Sequence, residues 1–207
     1  MSAMGEGNPP PLQSGIREGA GWGTVSSELQ YANPYLQVFL STVRTPSRPD
    51  GALWTIVHRK AATVIAPVTP DGRFLLIRQE RIPVRAALWE FPAGQIDTVA
   101  GADDVVVRAT ALRELREETG YELGSEGELI AMGSYFSSPG FTDEHGHIFL
   151  ARGVVPCPTG ASHDEAEAIQ ECRPFEPGEL RGMIAGNEIR DANTLSAFAR
   201  MSVLGFI

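Results

Sequence analysis

Only two cysteines, Cys157 and Cys172, occur in 207 residues, and neither stands in a CxxC pair. Zinc sites and a disulfide scaffold are therefore not supported, and a reduced, cytoplasmic setting is the simplest expectation. Basic residues are also scarce: 17 Lys and Arg against 26 Asp and Glu leave a net charge of −9. Without a basic cluster to neutralise phosphates, no nucleic-acid partner is expected. No stretch approaches the ~18 apolar residues of a membrane span, and no basic segment precedes an apolar run at the N-terminus, so no membrane partner or leader is expected. The four histidines are scattered, with only His145 and His147 close together. On a strand those two share a face, where they read as surface or supporting residues.

What is present is an ordinary globular composition, 43% hydrophobic and 21% charged. The length suits one domain with a tail. Residues 1–23, dense in Gly and Pro, read as a flexible tail. Residues 24–60 form a β-rich section, with strands expected at Tyr35–Val43 and Leu53–His58. The main domain, residues 61–207, opens with two strands, Ala61–Val68 and Arg73–Arg78, around Thr-Pro-Asp-Gly, a hairpin signal. Trp89–Ala93 leads into a loop at Gly94, with Trp89 and Phe91 packing beside it, while Trp22 has no assigned role. Further strands are expected at Leu129–Tyr135, His147–Val154 and Glu165–Phe175, and helices at Pro177–Ala185 and Asp191–Met201. The pattern is α+β, with a mostly antiparallel sheet between helices.

The most informative stretch is Arg113-Glu114-Leu115-Arg116-Glu117-Glu118-Thr119-Gly120-Tyr121. On a helix, Glu114, Glu117 and Glu118 fall within an arc of ~100°. Like charges so placed repel by a few tenths of a kcal/mol per pair, which folding does not require. A solvated charged face is the bland alternative, but it predicts interleaved signs. Here the wheel sorts into an acidic sector, an apolar sector of Ala111, Leu112 and Leu115, and a side holding Arg113 and Arg116. Such sorting favours a hard cation such as Mg²⁺, which prefers carboxylate oxygens. Asp103 or Asp104 can cap this helix at its start, and Gly120 suits the left-handed position at its end.

These residues, taken with Gly94, resemble the Nudix box, G-x5-E-x7-R-E-U-x-E-E-x-G-U. The second half matches at every specified position. The first half departs: nineteen positions separate Gly94 from Arg113 where the pattern has fourteen, so the loop after Gly94 carries about five extra residues. The early glutamate would fall at Val105, and Asp103 or Asp104 stands in for it. Arg108 lands in the apolar sector. The resemblance narrows to ADP-ribose and ADP-sugar pyrophosphatases through Pro92-Ala93-Gly94-Gln95-Ile96-Asp97, Arg78-Gln79-Glu80-Arg81, Ser138-Pro139-Gly140-Phe141-Thr142-Asp143-Glu144 and the closing Glu188–Leu195 segment. Glu80 departs from an aromatic in the second of these.

The resemblance implies a Nudix-like α/β/α sandwich with an N-terminal β-rich extension. It also implies Mg²⁺- or Mn²⁺-dependent hydrolysis of a small nucleoside diphosphate sugar such as ADP-ribose. Glu114 and Glu118, with the Ala93 carbonyl, are the implied metal ligands, and Glu117 ligates or orients. Arg113 is expected to pair with Glu117 one turn on. Glu144 is the first candidate for general base, with Glu165 and Glu167 as alternatives. Arg81 is a candidate for phosphate or ribose contact, and Tyr35 and Trp54 for stacking on the base, although a lone aromatic is more often strand core. A homodimer is implied, the N-terminal strands reaching across it. The alternatives are another Nudix substrate, such as GDP-mannose, and a non-catalytic ADP-ribose-binding module.

Overall fold

The computed structural model describes residues 19–97, 103–163 and 168–207. Most of the expected tail and the alternative bases Glu165 and Glu167 lie outside the described residues. Contacts divide the chain into two units. Of the described residues, the first holds 19–60 together with Asp97 and Ser138–Glu144; the second holds 61–96, 103–137, 145–163 and 168–207.

The first unit is a three-stranded antiparallel sheet of β1 (Gly23–Ala32), β2 (Leu36–Thr45) and β3 (Arg48–Arg59), in that order. Only β2 and β3 were legible in the sequence. Strand β1 is solvated along nearly its whole length, so it lacks the apolar alternation that marks a half-buried strand. An Asx turn joins it to β2: the Asn33 side-chain oxygen accepts from the amides of Tyr35 (2.8 Å) and Leu36 (2.9 Å). Val25, Tyr31, Leu53 and Trp54 remain substantially exposed on these strands.

The second unit is a sheet between helices. Its strands are β4 (Ala62–Val68), β5 (Phe74–Arg81), β6 (Ala86–Glu90), β7 (Ala93–Gln95), β8 (Tyr121–Phe136), β9 (His145–Pro156) and β10 (Ile169–Phe175). The main order is β10-β5-β4-β9-β8, with β6 on β5 and β7 on β4. Only β4 and β9 run parallel, Ala62 beside Gly146 through Val68 beside Arg152. Helix α1 spans Asp104–Thr119, α2 Pro177–Ala185 and α3 Ala192–Val203. Alternation along the strands splits the core in two. Val64, Leu76, Ile148 and Leu150 pack under α2 and α3, while Ile65, Leu75 and Phe149 pack under α1. This is the expected α+β sandwich. No helix among the described residues is long and apolar enough to cross a membrane.

Helix α1 settles the choice of cap. The Asp103 carboxylate accepts from the Val106 amide at 3.0 Å, and Asp104 is the first helical residue. Val107, Ala111 and Leu115, four apart, form the buried stripe. Arg108 is tolerated beside them because its Nη1 donates to the Leu129 carbonyl at 3.0 Å and its guanidinium lies 5.7 Å from the Phe149 ring centroid. The helix stops at Gly120, φ 71°, where a Cβ would also stand 2.8 Å from the Ala161 nitrogen.

Two side chains on this sheet have testable titration behaviour. Burial pushes the Cys172 thiol on β10 up to about 12, and the charge of Glu118 adds to it. Native protein at pH 8 is expected to take up one equivalent of an alkylating reagent, at half-buried Cys157, and the second only in denaturant. Two equivalents on the native protein, counted by mass spectrometry, would contradict this. His147, whose ring lies 5.5 Å from that of His145, is pushed below 6.5 by burial and then by the His145 charge, against the pull of Asp104. The unfolded chain therefore binds this proton more readily, so stability falls as pH drops below about 6.5. His147→Gln should flatten that loss between about pH 7 and 5 in urea titrations.

Candidate active site

The glutamate face of α1 meets strand β7 in the second unit. Glu114 and Glu118 are only 4% and 1% exposed. Carboxylates are almost never so buried without a partner that compensates the charge. Two local features admit them. The Ala93 amide donates to Glu118 Oε2 at 2.8 Å. At Gly94, the missing side chain makes room for Glu114, because an alanine Cβ there would lie 1.9 Å from the Glu114 carboxyl carbon. The glycine is needed here for close approach rather than for backbone freedom.

Arg113 supplies positive charge to this face. Its Nη2 donates to Glu114 Oε1 and its Nη1 to Glu117 Oε2, both at 2.5 Å. The pairing with Glu117 follows the i,i+4 spacing expected from the sequence; that with Glu114 was not foreseen. Among the described residues, no three His, Cys, Asp or Glu side chains converge as a ready-made metal cage. The chemistry of the donor set nevertheless suits a hard divalent ion: buried carboxylate oxygens, acceptors only, and no sulfur or imidazole among them.

The loop carrying Ala93 and Gly94 is fixed from both sides. Ala93 and Gly94 pair with Val64 and Thr63 of β4, and the Ile65 amide donates to the Pro92 carbonyl at 2.9 Å. From the other side, the Phe91 amide donates to Thr194 Oγ1 at 2.8 Å, and Thr194 Oγ1 donates in turn to Asp191 at 2.6 Å. Asp191 is the N-cap of α3 and accepts the Thr194 amide at 2.7 Å. The start of this helix at Asp191 was visible in the sequence, but nothing there signalled a reach from Thr194 to Phe91. Thr63, fully buried opposite Gly94, has no hydrogen-bond partner for its hydroxyl among the described residues.

Arg81 ends β5 with a fork onto Glu90, Nε at 3.1 Å from each carboxylate oxygen and Nη2 at 2.5 Å from one. Glu90 is 1% exposed. Burial pushes its carboxyl above the ordinary range, the Arg81 guanidinium pulls it back, and the Asp191 charge pushes it up further. The Arg81 charge also feels Asp191 and Glu118, so it belongs to the same electrostatic neighbourhood. Glu90 was missed by sequence reasoning, because a charge alternating with Trp89 and Phe91 on a strand reads as the solvent-facing residue. Arg81 also lines an open cleft of about 360 Å³ with Glu80, Ile82, Arg85 and Gln170. Arg81→Ala would strand Glu90 in the interior. Breaking a buried pair costs about 3–5 kcal/mol, and the low end applies because Arg81 is 38% exposed. Urea denaturation checks this, and Arg81→Ala/Glu90→Gln should recover most of the loss.

The remaining candidates lie in the first unit. Trp54, on β3, is half exposed and its indole donates to the Gly140 carbonyl at 2.9 Å. Tyr35 is exposed in the β1–β2 turn. Glu144 pairs with Arg59 at 2.7 Å.

The chain also resembles known proteins in sequence and in fold. Residues 57–198 match the family model described as the NUDIX domain. An ADP-ribose pyrophosphatase of Mycobacterium tuberculosis is 32% identical over 183 residues, 85% of this chain and 83% of the relative. An ADP-ribose pyrophosphatase of Bacillus subtilis is 28% identical over 84% of this chain and 89% of its own length. A methanol dehydrogenase activator of Bacillus methanolicus is 33% identical over 70% of this chain and 74% of its own. A crystal structure titled as an ADP compounds hydrolase superposes with a TM-score of 0.71 over 91% of this chain and 96% of that one; at 18% identity it speaks for the fold alone.

Proposed function

Because this chain belongs to the Nudix family of hydrolases, we propose that it cleaves ADP-ribose, or a closely related nucleoside diphosphate sugar, at the diphosphate bridge to give AMP and a sugar phosphate. The observation that carries the reading is the pair of nearly solvent-free carboxylates, Glu114 and Glu118, admitted at a strand whose Gly94 leaves room for one of them. A structural role does not call for two buried acids one turn apart. A role in binding divalent cations does.

In this reading Glu114, Glu117 and Glu118, with the Ala93 carbonyl, hold Mg²⁺ or Mn²⁺. Such an ion supplies charge neutralisation for the diphosphate oxygens and a lowered pKa for water. Arg113 orients Glu117 and offsets the acidic face. Arg81 contacts phosphate or ribose from the cleft it lines, and Glu144 takes the proton from the attacking water as general base. Tyr35 and Trp54 offer exposed rings to the adenine, each stacking contact being worth ~1–3 kcal/mol. The exposed Val25, Tyr31 and Leu53 of the three-stranded sheet support a homodimer, which light scattering on the purified protein would test.

A panel of nucleoside diphosphate compounds, assayed by phosphatase-coupled release with Mg²⁺, tests the substrate. ADP-ribose is expected to turn over with AMP as a product. Turnover of GDP-mannose or a dinucleoside polyphosphate in its place would shift the substrate within the family. Failure of every compound would favour a binding module, against which the retention of all three box glutamates stands.

A further inference from the structure

The segment Ser138–Glu144 connects β8 to β9 in sequence, yet its contacts assign it to the first unit. It is bonded to β3 at several points. The Val57 amide donates to the Phe141 carbonyl at 2.8 Å, the Asp143 amide donates to the Val57 carbonyl at 3.3 Å, and Val57 and Thr142 form a parallel bridge. Trp54 adds its indole bond to the Gly140 carbonyl. Asp143, 9% exposed, is held at both oxygens: Oδ1 accepts the Arg59 amide at 3.0 Å, and Oδ2 lies 2.6 Å from His58 Nδ1. The His58 ring is itself set edge-on against Phe39 of β2 at 5.2 Å. One residue further on, Arg59 Nη1 reaches Glu144 Oε1 at 2.7 Å.

The backbone bonds and Asp143 already fix the shape of this loop, so what the Arg59 guanidinium adds is a set place for the Glu144 carboxylate. We infer that Arg59 is a positioning residue for the hydrolysis, holding Glu144 in register through β3. This rests on Glu144 being the general base. A carboxylate offers about four lone-pair sites, so a bond at Oε1 does not exhaust its capacity to accept a proton. What Arg59 contributes is geometry, and a displacement of about 1 Å at a reacting group can lower a rate about a hundredfold. His58 and Asp143 fix the backbone from which both side chains project.

The test is a double-mutant cycle on the full chain with ADP-ribose and Mg²⁺. Glu144→Gln is expected to lower kcat by about 10²–10⁴. Arg59→Gln should lower kcat by about ten- to a hundredfold with KM changed less than about twofold, and Arg59→Lys should recover part of the loss. Arg59→Gln in the Glu144→Gln background should cost nothing more, because the arginine acts through the carboxylate. Melting temperatures, and the activity of Arg59→Lys, separate this from failure to fold. Wild-type kcat in a folded Arg59→Gln variant, or losses that multiply in the double variant, would overturn the inference while leaving Glu144 as base. Wild-type activity in Glu144→Gln would instead remove the base assignment on which the inference rests.

Discussion

Gly94→Ala is expected to abolish most turnover while leaving the protein folded. The added Cβ would lie 1.9 Å from Glu114 Cδ and 2.0 Å from Oε1, far inside contact distance. The obstructed atoms are the end of a side chain rather than backbone, so Glu114 swings away and the strand keeps its pairing with β4. Overpacking of this kind costs about 1–3 kcal/mol. The displaced carboxylate, only 4% exposed in the wild type, would lose its place beside Arg113 and any ion it helps to hold. A loss of at least about a hundredfold in kcat follows. The double variant Gly94→Ala/Glu114→Ala should melt closer to the wild type than Gly94→Ala and remain inactive. Wild-type kcat in the single variant would mean that Glu114 has no part in the chemistry.

Glu118→Gln should separate activity from stability in the opposite direction. The amide oxygen can still accept from the Ala93 nitrogen, so the loop loses little. What disappears is a charge in a 1%-exposed position, whose burial is costly to the folded state. The metal-free variant should therefore melt no lower than the wild type. Its kcat should fall by about 10²–10⁴, since a metal-activated hydrolysis depends on its carboxylate ligands. Calorimetry should show Mg²⁺ or Mn²⁺ uptake with nucleotide in the wild type and its loss in the variant. Cys172 provides an internal check. Part of the upward push on its thiol comes from the Glu118 charge, so the variant should be alkylated faster in alkaline buffer. Full activity in Glu118→Gln would remove the central premise.

Helix α1 was legible in the sequence because its functional and structural signals coincide. The apolar and acidic stripes both follow the 3.6-residue period and the glycine marks where it ends, so together they define one helix and its register. The sequence left Asp103 and Asp104 equal as caps, since only the carboxylate's reach to the Val106 amide separates them. Arg108 looked like a fault in the stripe because its partners, Leu129 and Phe149, are distant in sequence. Strand β1 was invisible for a different reason, being wet on both faces. The site was legible where one element carries it. The Arg81–Glu90 pair, the Asp191–Thr194–Phe91 chain and the second partner of Arg113 depend on side-chain directions and on the meeting of separate elements, which no local pattern records.

The parallel pairing of β4 with β9 has a consequence for how the molecule is made. Ala62 leaves the ribosome long before Gly146, its neighbour in the sheet. Closing so large a loop is entropically costly and is repaid only once both strands are present. A nascent chain that stops short of β9 carries an apolar strand with one side unmatched, a target for chaperones until synthesis supplies its mate. The step that completes the central sheet is thus late in biosynthesis, although β4 is among the first strands of its unit to be translated.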